Sequence, residues 1–472
     1  MRGKGEENPM TKKILLITVL SCFLMIGCQA FTWNPVSTIP LTTTTTGTTI
    51  LRKAQDPFAL TDFQTLAEAY GAAGEIVSMP ASGSVKGLVL AVDFSDHPAS
   101  NGTITTADLN RFFNGDSADV DYESVRSYYL ASSYGALDLS FDVHGFYRAE
   151  HSSSYYATLY EYGDPASDLV LEVMDYYDGV IDFSRYDGNG DGWVDALYLI
   201  YTTPVSFSYG SDLWWAYIDQ CLYEDRFDST EAYYFAFLGT DFFWSSNGSA
   251  RTAIHETGHL LGLDDYYDYD DSDNFNSGGL GGADMMDDTV GDMNPFSKLL
   301  LGWVSPTVVT GSGTFVLPPF ESTGGCLMVI PAWNDTIFDE YLLISYYTPT
   351  GLYAEDRWDV FPLAGVIIYH VDARIGRGFD EDSAFWTIFN YNNTDSRHKL
   401  IKIIEADMDE DIDRNGNAEG SDLFQTGNVF GTTIYPNYAW YQDVRNPMDI
   451  TIAVGAFGET GVTVTITFPP EA

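Results

Sequence analysis

The sequence predicts an α+β fold in which a mixed α/β N-terminal half is followed by a β-rich C-terminal region. Continuous apolar runs in the first half are typical of buried strands, and segments of helical pattern alternate with them. From Ser305 onward the pattern changes to short strands separated by Gly, Pro and Asn. We therefore expect a mixed sheet with helices in the first half and a second, β-rich part packed on it.

The elements of the N-terminal half follow one another along the chain. Strands are predicted at residues 86–94, 136–147 and 193–201, and helices at residues 122–134, 165–177, 248–261 and 295–301. The first run is almost wholly apolar, as expected of a strand that is covered on both faces. In the C-terminal region, strands are predicted at residues 314–317, 342–347, 365–371 and 462–468.

The composition is that of a folded, strongly acidic protein. Hydrophobic residues make up 45% of the chain, and the formal net charge is −46. Such a charge repels nucleic acids and anionic membrane surfaces, so neither is expected as a partner. Of the four cysteines, Cys221 and Cys326 lie outside the N-terminal region. They are too few for a disulfide framework, and they form either one disulfide or two buried thiols.

The N-terminus has the pattern of an export signal. Lys12 and Lys13 precede an apolar stretch at residues 14–26, which has the length of a signal-peptide core. The stretch ends at Cys28 in a pattern that resembles a lipoprotein cleavage box, and cleavage after Ala30 is the alternative. Residues 1–30 are therefore predicted to be a signal peptide of the lipoprotein type. The protein is expected to be secreted or anchored to the cell surface, with a lipid on Cys28 as its membrane attachment.

Residues 31–85 are predicted to be a linker or a short pro-segment. They contain a threonine run at residues 42–49 that is broken by a single glycine. Such a run is typical of an extended tether between an export signal and a folded domain.

The candidate chemistry lies in the H-E-x-x-H motif at residues 255–259. Side chains four positions apart share one face of a helix, so His255 and His259 can bind one metal ion. Glu256 lies beside them, where it can accept a proton from a water molecule that the metal activates. This spacing is typical of zinc hydrolases.

A third zinc ligand is predicted just after this helix. Gly262 can adopt a left-handed conformation and end the helix, so that the chain turns back and presents Asp265. Asp264 and Asp268 are close alternatives. Two histidines and one carboxylate leave one position of a tetrahedral zinc ion open, as catalysis requires.

The chain resembles the immune inhibitor A-type metallopeptidases, which are secreted bacterial relatives of the metzincins. The resemblance rests on an ordered set of segments: residues 92–96, 124–129 with 133–135, 187–195, 255–267, and 294–298 with 301–303. It covers about residues 86–435. It implies a metzincin-like zinc peptidase catalytic domain, assigned to residues 86–304, and a β-rich region at residues 305–472.

The same resemblance implies a methionine-bearing turn beneath the metal. Met286 follows Asp265 at a suitable distance, and its neighbour Met285 is the alternative. A methionine supplies a soft apolar surface under the histidines. Many metzincins have histidine as the third zinc ligand, whereas the position here is Asp265, as in the immune inhibitor A type.

Two acidic segments have the spacing of calcium loops. The first places oxygen side chains at positions one, three, five and nine, with glycine at position six. Its candidate ligands are Asp187, Asn189, Asp191 and Asp195. The bidentate glutamate expected at position twelve is replaced by Tyr198. The alternative is an acidic turn, for which Asp, Asn and Gly are the natural residues.

The second segment repeats the same start and is the more complete of the two. Its candidate ligands are Asp411, Asp413, Asn415 and Asp422, with Glu419 at position nine. The acidic turn is again the alternative. Residues 264–273 form a weaker candidate for cation binding.

These features predict an exported zinc-dependent endopeptidase that hydrolyses extracellular proteins or peptides. Glu256 would act as general base, and Tyr266 or Tyr267 would donate a hydrogen bond to the oxyanion. Structural calcium would neutralise the acidic loops. One alternative is an amidase with the same chemistry. Another is an inactive surface adhesin on a peptidase fold, against which the intact Glu256 argues.

Overall fold

The computed structural model describes most of the chain from Thr65 onward. The described residues are 65–73, 77–99, 104–160, 163–205, 213–221, 223, 225–243, 248–269, 279–354, 361–376, 387–394, 398–414, 417–436, 438–441 and 448–470. The predicted signal peptide, Cys28 and the threonine run lie outside these residues, as do Asn415 and residues 270–273.

The N-terminal half contains both strands and helices. Its strands are β1 (Gly83–Asp93), β2 (Leu137–Arg148), β3 (Leu197–Tyr201), β4 (Tyr217–Gln220), β5 (Arg226–Phe227), β6 (Thr230–Glu231) and β7 (Tyr234–Gly239). Its helices are α1 (Leu66–Ala73), α2 (Thr106–Asn114), α3 (Val125–Ser132), α4 (Ser153–Leu159), α5 (Pro165–Tyr177), α6 (Arg251–Leu260), α7 (Met285–Asp288) and α8 (Pro295–Leu300). Short 3-10 turns occur at Phe183–Tyr186 and Thr240–Phe243.

The C-terminal region is mostly β-structure. Its strands are β8 (Thr307–Val309), β9 (Gly313–Leu317), β10 (Cys326–Val329), β11 (Glu340–Tyr347), β12 (Gly365–Asp372), β13 (Ile401–Ile403), β14 (Val429–Phe430), β15 (Thr451–Gly458) and β16 (Gly461–Thr467). A short helix, α9 (Phe320–Thr323), lies between β9 and β10, and 3-10 turns occur at Gly351–Tyr353, Ile412–Arg414 and Gly420–Asp422. The predicted α+β class is confirmed.

The first sheet is mixed. Its strand order is β2-β1-β3-β7-β4, in which β4 is antiparallel to β7 and the other pairs are parallel. The central strand β3 is buried along its whole length. Helix α6 packs beside β7 and β4. The antiparallel edge strand β4 therefore lies close to the helix that carries the two histidines.

The C-terminal strands form two sheets. One has the order β13-β12-β11-β10-β8 and the other β14-β15-β16-β9. One face of the first of these sheets packs against the second through Leu342, Ile344 and Val464, among others. The opposite face, including Met328 and Leu343, belongs to the same apolar core as Ile254 of α6. The β-rich region and the N-terminal half therefore share a core.

Most predicted elements occur with shifted ends. The predicted helix 165–177 agrees with α5 at both ends, and its N-terminal Asp164 accepts from the Ser167 amide. The predicted helix 122–134 begins only at Val125, because the Ser124 side chain accepts the Ser127 amide and caps it. The predicted strand 193–201 begins at Leu197, since Ala196 has a φ of 45° and interrupts the extended backbone. Helix α2 and strand β4 were not predicted.

The segment before β1 is partly folded. Helix α1 buries Leu66 and Ala69 in the main core. The Tyr70 hydroxyl donates to the Gly262 carbonyl at 3.3 Å, and the Ser78 amide donates to the Leu260 carbonyl at 3.1 Å. The C-terminal part of the predicted linker therefore packs against the end of α6.

Both remaining cysteines are buried free thiols. Cys221 and Cys326 do not pair with each other, which selects one of the two alternatives that the sequence left open. Burial raises the pKa of Cys326 to about 12, so this thiol stays protonated. Among the described residues, none of the helices combines the length and apolar character needed to cross a membrane.

A buried ion pair ties α8 to the end of α3. Lys298 and Asp292 are 0% and 1% exposed, and Lys298 Nζ lies 2.5 Å from Asp292 Oδ2. Ser132 donates to Asp292 Oδ1, and Lys298 also donates to the Tyr134 hydroxyl at 3.3 Å. Each charge is thus compensated by the other and by neutral groups, as a buried pair requires.

Breaking this pair on one side should be costly. Lys298→Met leaves Asp292 buried without a cation, and we expect the free energy of unfolding to fall by about 3–5 kcal/mol. Adding Asp292→Asn removes the stranded charge and should recover most of that loss. Urea denaturation of the single and double variants measures both effects. A double variant no more stable than Lys298→Met would contradict this account.

Candidate metal centre

Helix α6 ends in a glycine turn directly after the second histidine. Gly262 has a φ of 90°, and its amide donates to the His259 carbonyl at 2.8 Å. The Leu263 amide donates to the Gly258 carbonyl at 3.0 Å. This pair of bonds is the Schellman arrangement, which needs a left-handed residue after the helix. The predicted role of Gly262 is confirmed, and the turn carries the chain back toward the histidines.

Three ligand atoms converge at the end of α6. His255 Nε2 lies 3.2 Å from His259 Nε2 and 2.9 Å from Asp265 Oδ1, and His259 Nε2 lies 3.2 Å from the same oxygen. Ligands at about 2.0–2.1 Å in a tetrahedral zinc site are roughly 3.3 Å apart. The triangle formed by the three atoms is therefore close to the size that zinc requires.

The outer nitrogens of both rings face backbone carbonyls. His255 Nδ1 lies 2.8 Å from the Met285 oxygen, and His259 Nδ1 lies 2.8 Å from the Leu263 oxygen. A carbonyl accepts only, so each Nδ1 must carry the proton. In the neutral form of each ring, Nε2 then presents its lone pair to the other two ligand atoms. The surrounding backbone thus selects the tautomer that binds a metal.

Two buried carboxylate oxygens at this point have no hydrogen-bond partner other than the imidazoles themselves. They are Asp265 Oδ1 and Glu256 Oε2, and the two residues are 9% and 4% exposed. Burial opposes charge on His259, yet the adjacent Asp265 raises the pKa of this imidazole to about 10. The two histidines in turn hold the pKa of Asp265 well below its usual range, against the effect of burial. A cation at this point would replace the proton that otherwise neutralises the cluster.

The neighbouring aspartates have other surroundings. Asp264 accepts from the Thr387 hydroxyl at 2.6 Å, and burial raises the pKa of Asp264 to about 7. Asp268 is also buried but does not belong to the group formed by the two histidines and Asp265. Of the three candidates for a third ligand, only Asp265 brings an oxygen to both histidines.

Met286 lies directly beneath α6. A Cβ built on Gly258 would lie 2.3 Å from Met286 Sδ, so a larger residue at this position would have to displace the sulfur. The Met286 carbonyl accepts from the Tyr266 amide at 2.9 Å. Met285 is buried as well and contributes its carbonyl to His255. The predicted methionine turn therefore lies against the histidine helix, with Met286 as the residue in contact with Gly258.

Asp284 holds this turn in place. Its side chain is fully buried and accepts from the amides of Met286 and Asn294 at 2.8 and 2.7 Å. Asn294 in turn accepts from the amides of Phe296 and Ser297 at the start of α8. One chain of hydrogen bonds thus links the methionine turn to α8.

The candidate ligands line a cavity of about 600 Å³. Its wall includes His255, Glu256, His259 and Asp265, together with the whole of β4. Half of the other wall residues are aromatic: Tyr70, Tyr160, Trp215, Tyr234, Tyr267 and Tyr269. An aromatic cavity with a few convergent polar groups is typical of a binding site.

The tyrosines predicted to stabilise an oxyanion differ in position. Tyr266 is fully buried, and its hydroxyl bonds with Ser297 at 2.8 Å, away from the cavity. Tyr267 lines the cavity, with its ring stacked 6.5 Å from that of His255. Tyr269, which was not predicted, donates to Asp265 Oδ2. Of the two tyrosines proposed as donors to the oxyanion, only Tyr267 lies at the cavity. Tyr269 instead orients Asp265, the candidate third ligand.

The first predicted calcium loop is closed by its own backbone. Asp187 accepts from the amides of Gly190, Asp191 and Gly192 at 2.7–3.1 Å. The Asn189 side chain donates to Asp191 at 2.6 Å. Asp195 Oδ2 accepts from the Gly188 amide, and burial raises the pKa of Asp195 to about 7. Within the described part of the chain, three sets of side chains lie close enough together to hold one cation. None of these sets contains a residue of this loop. These contacts are those of the acidic turn named as the alternative, and calcium here stays a prediction.

In the second predicted loop, the candidate ligands do not all face one point. Asp413 pairs with Lys399 at 2.8 Å and with Lys402, so it faces two cations. Asp411 and Asp422 instead lie in two groups that share Glu405. Sequence spacing missed Glu405, because it lies before the motif begins.

No protein-family model matches the chain, and no curated protein matches it either.

The contact between Gly258 and Met286 can be tested directly. Replacing a helical glycine with alanine ordinarily stabilises a helix by about 1 kcal/mol. Here the added methyl group would overlap the sulfur, so Gly258→Ala should instead lower the melting temperature and weaken metal binding.

The matched control is the double variant Gly258→Ala/Met286→Ala. The double variant has no overlap between the two side chains. It should therefore lose less stability than the losses of the two single variants added together. Thermal melts and metal titrations of the four proteins measure this coupling. Additive effects would show that the two side chains do not compete for the same space.

Proposed function

We propose that the protein is a zinc-dependent endopeptidase that acts on extended polypeptides. The observation that supports this most directly is the convergence of two imidazole nitrogens and one carboxylate oxygen beside a buried glutamate in an open cavity. Three protein ligands with one open position are typical of catalytic zinc rather than structural zinc. The export pattern of the N-terminus extends the proposal to extracellular protein substrates.

The donor set fits zinc on chemical grounds. His255 and His259 offer imidazole nitrogens, and Asp265 offers a carboxylate oxygen that faces both of them. Nitrogen and oxygen donors of this kind suit zinc, whereas calcium and magnesium prefer all-oxygen sites. When bound, zinc supplies a Lewis acid that polarises the scissile carbonyl and lowers the pKa of water.

Glu256 is the proposed general base. It lies in the cavity wall next to the ligands and is 4% exposed, with one oxygen that has no hydrogen-bond partner. Burial raises the pKa of this carboxyl group, while the two histidines oppose the rise. Glu256 accepts the proton of the attacking water and passes it to the leaving nitrogen. Tyr267, on the same wall, is the candidate donor to the carbonyl oxygen.

The edge strand β4 supports a polypeptide substrate. All four of its residues, Tyr217–Gln220, line the cavity, and β4 pairs with β7 at the end of the sheet order. An extended peptide can add to such an edge by main-chain hydrogen bonds. A substrate held in this way would lie alongside Glu256 and the ligands, so internal peptide bonds of a long chain can reach the site.

The third ligand is tested by a pair of isosteric variants. Asp265→Asn removes the carboxylate that faces both histidines and should lower zinc affinity by at least about tenfold. Asp264→Asn retains an oxygen that can accept from Thr387 and should leave zinc affinity nearly unchanged. Zinc content after dialysis and competition with a metal-binding dye measure both. The reverse order of effects would assign the ligand to Asp264.

The general base is tested by Glu256→Gln. Glutamine keeps the size and hydrogen-bonding capacity of the side chain but removes the basic oxygen, so proteolysis should fall by about two to four orders of magnitude. Zinc content and melting temperature should stay close to those of the parent protein. Casein cleavage with added zinc is the assay, and a long substrate distinguishes an endopeptidase from an amidase. Near-normal cleavage by the variant, or no cleavage by the zinc-loaded parent, would refute the proposal.

A further inference from the structure

Five carboxylates gather where the chain leaves β13. The ligand oxygens of Glu405, Asp409 and Asp411 lie within 4.8 Å of one another, and those of Glu405, Asp407 and Asp422 do the same. Glu405 belongs to both groups and is therefore the centre of the cluster. We call these five residues the Glu405 cluster. It is formed by the segment after β13 together with the 3-10 turn at Gly420–Asp422.

The deepest members of the cluster have unsatisfied oxygens. Glu405 is 2% exposed and Asp422 is 1% exposed, and Glu405 Oε1, Asp422 Oδ1 and Asp411 Oδ1 have no hydrogen-bond partner. The second oxygens of the two deepest groups are occupied. Glu405 Oε2 accepts from the Asp411 amide at 3.0 Å, and Asp422 Oδ2 accepts from the Glu419 amide at 2.7 Å. The backbone thus orients each carboxylate and leaves one oxygen of each for another ligand.

No side-chain cation compensates the cluster within the described part of the chain. The two nearby lysines, Lys399 and Lys402, form ion pairs with Asp413 instead. Burial and the neighbouring carboxylates together raise the pKa of Glu405 to about 8 and that of Asp422 to about 7. Buried carboxylates without partners are costly to keep, so the arrangement favours a cation that neutralises them.

We propose that the Glu405 cluster is a structural calcium site. Its donors are all carboxylate oxygens, which suit a hard divalent cation and not zinc. Three of the ten oxygens of these five carboxylates accept backbone amides, which leaves up to seven for the six to eight oxygen ligands of calcium, and water can complete the irregular shell. Magnesium demands octahedral geometry and keeps several waters, so it fits a crowded carboxylate cluster less well. The site differs from the spacing motif at residues 411–422, because Asp413 is excluded and Glu405 is central.

The cluster is connected to the turn beneath the candidate zinc centre. The Ala418 amide, in the loop between Asp411 and Asp422, donates to the Gly281 carbonyl at 2.8 Å. A Cβ on Gly281 would lie 2.4 Å from that amide nitrogen, so the two backbones are in close contact. The Gly282 amide next to it donates to Asp287 in the methionine turn. Calcium would therefore stabilise a loop on which the turn that carries Met286 rests.

The experiment measures calcium binding and thermal stability of the full chain that carries Glu256→Gln, which prevents self-cleavage. The protein is stripped of metal, reloaded with zinc and titrated with calcium chloride by calorimetry. Thermal melts are recorded with and without millimolar calcium. Calcium should raise the melting temperature by several degrees, because a cation that binds only the folded state stabilises it. Magnesium at the same concentration should have a smaller effect.

Glu405→Gln and Asp422→Asn are the test variants, since each keeps the oxygen that accepts a backbone amide. Each variant should bind calcium at least about tenfold more weakly. Each should also lose most of the rise in melting temperature that calcium causes in the parent. Without calcium, Glu405→Gln should be at least as stable as its parent, because it replaces a buried carboxyl group, whose ionisation burial and the neighbouring carboxylates oppose, with a neutral amide. A variant that had merely misfolded would be less stable under both conditions.

Glu410→Gln is the matched control. Glu410 is exposed, lies in the same segment and carries the same charge, but it belongs to neither carboxylate group. This variant should keep the full calcium response. The proposal is overturned if the parent does not respond to calcium, or if both test variants respond as the parent does. It is also overturned if Asp191→Asn alone abolishes the response, which would assign calcium to the loop at residues 187–195. Because the readout is calcium affinity, a failure here is distinct from a failure of the proposed zinc chemistry.

Discussion

The reversal of the chain at Gly262 is the constraint on which the candidate metal centre depends. Helix α6 supplies two imidazoles from one face, but a straight continuation would carry the next carboxylate away from them. The left-handed glycine ends the helix within three residues of His259, and the returning chain brings Asp265 to both rings. The same turn supplies the Leu263 carbonyl that selects the tautomer of His259. The backbone conformation at Gly262 thus brings in the third candidate ligand and also fixes which nitrogen of His259 carries the proton.

Below the helix, a second layer of buried polar groups holds these ligands. Asp284 accepts amides from Met286 and Asn294, and the Met285 carbonyl faces His255. Satisfied buried networks of this kind are rigid, because any displacement leaves a polar group without a partner. Gly258 completes the arrangement, since its missing side chain allows the sulfur of Met286 to touch the helix. The candidate ligands are therefore positioned by groups that do not themselves belong to the set of three ligand side chains.

The excess of acidic residues has different consequences at different places. In the loop at residues 187–195, carboxylates accept amides from their own backbone, and among the side-chain oxygens of this loop only Asp195 Oδ1 is buried without a partner. In the Glu405 cluster, several oxygens remain unsatisfied and deeply buried, and the nearby lysines are committed to Asp413. Two loops with similar spacing of acidic residues thus differ in their need for a cation. The difference arises from burial and from the direction of each carboxylate, which sequence spacing does not contain.

The sequence by itself determined the elements whose signals are local. The apolar run before Phe94, the capped helix at residues 165–177 and the histidine helix with its terminal glycine were all predictable, because periodicity, capping and left-handed glycines act within a few residues. Only the tertiary structure placed Asp265, and not Asp264, beside both histidines, separated Tyr266 from Tyr267, and placed β4 and Tyr269 at the cavity. It also replaced Asp413 by Glu405 in the acidic cluster. These outcomes depend on contacts between segments that are separated along the chain, such as Thr387 with Asp264 and Lys399 with Asp413. A local sequence pattern does not predict which segments will come into contact.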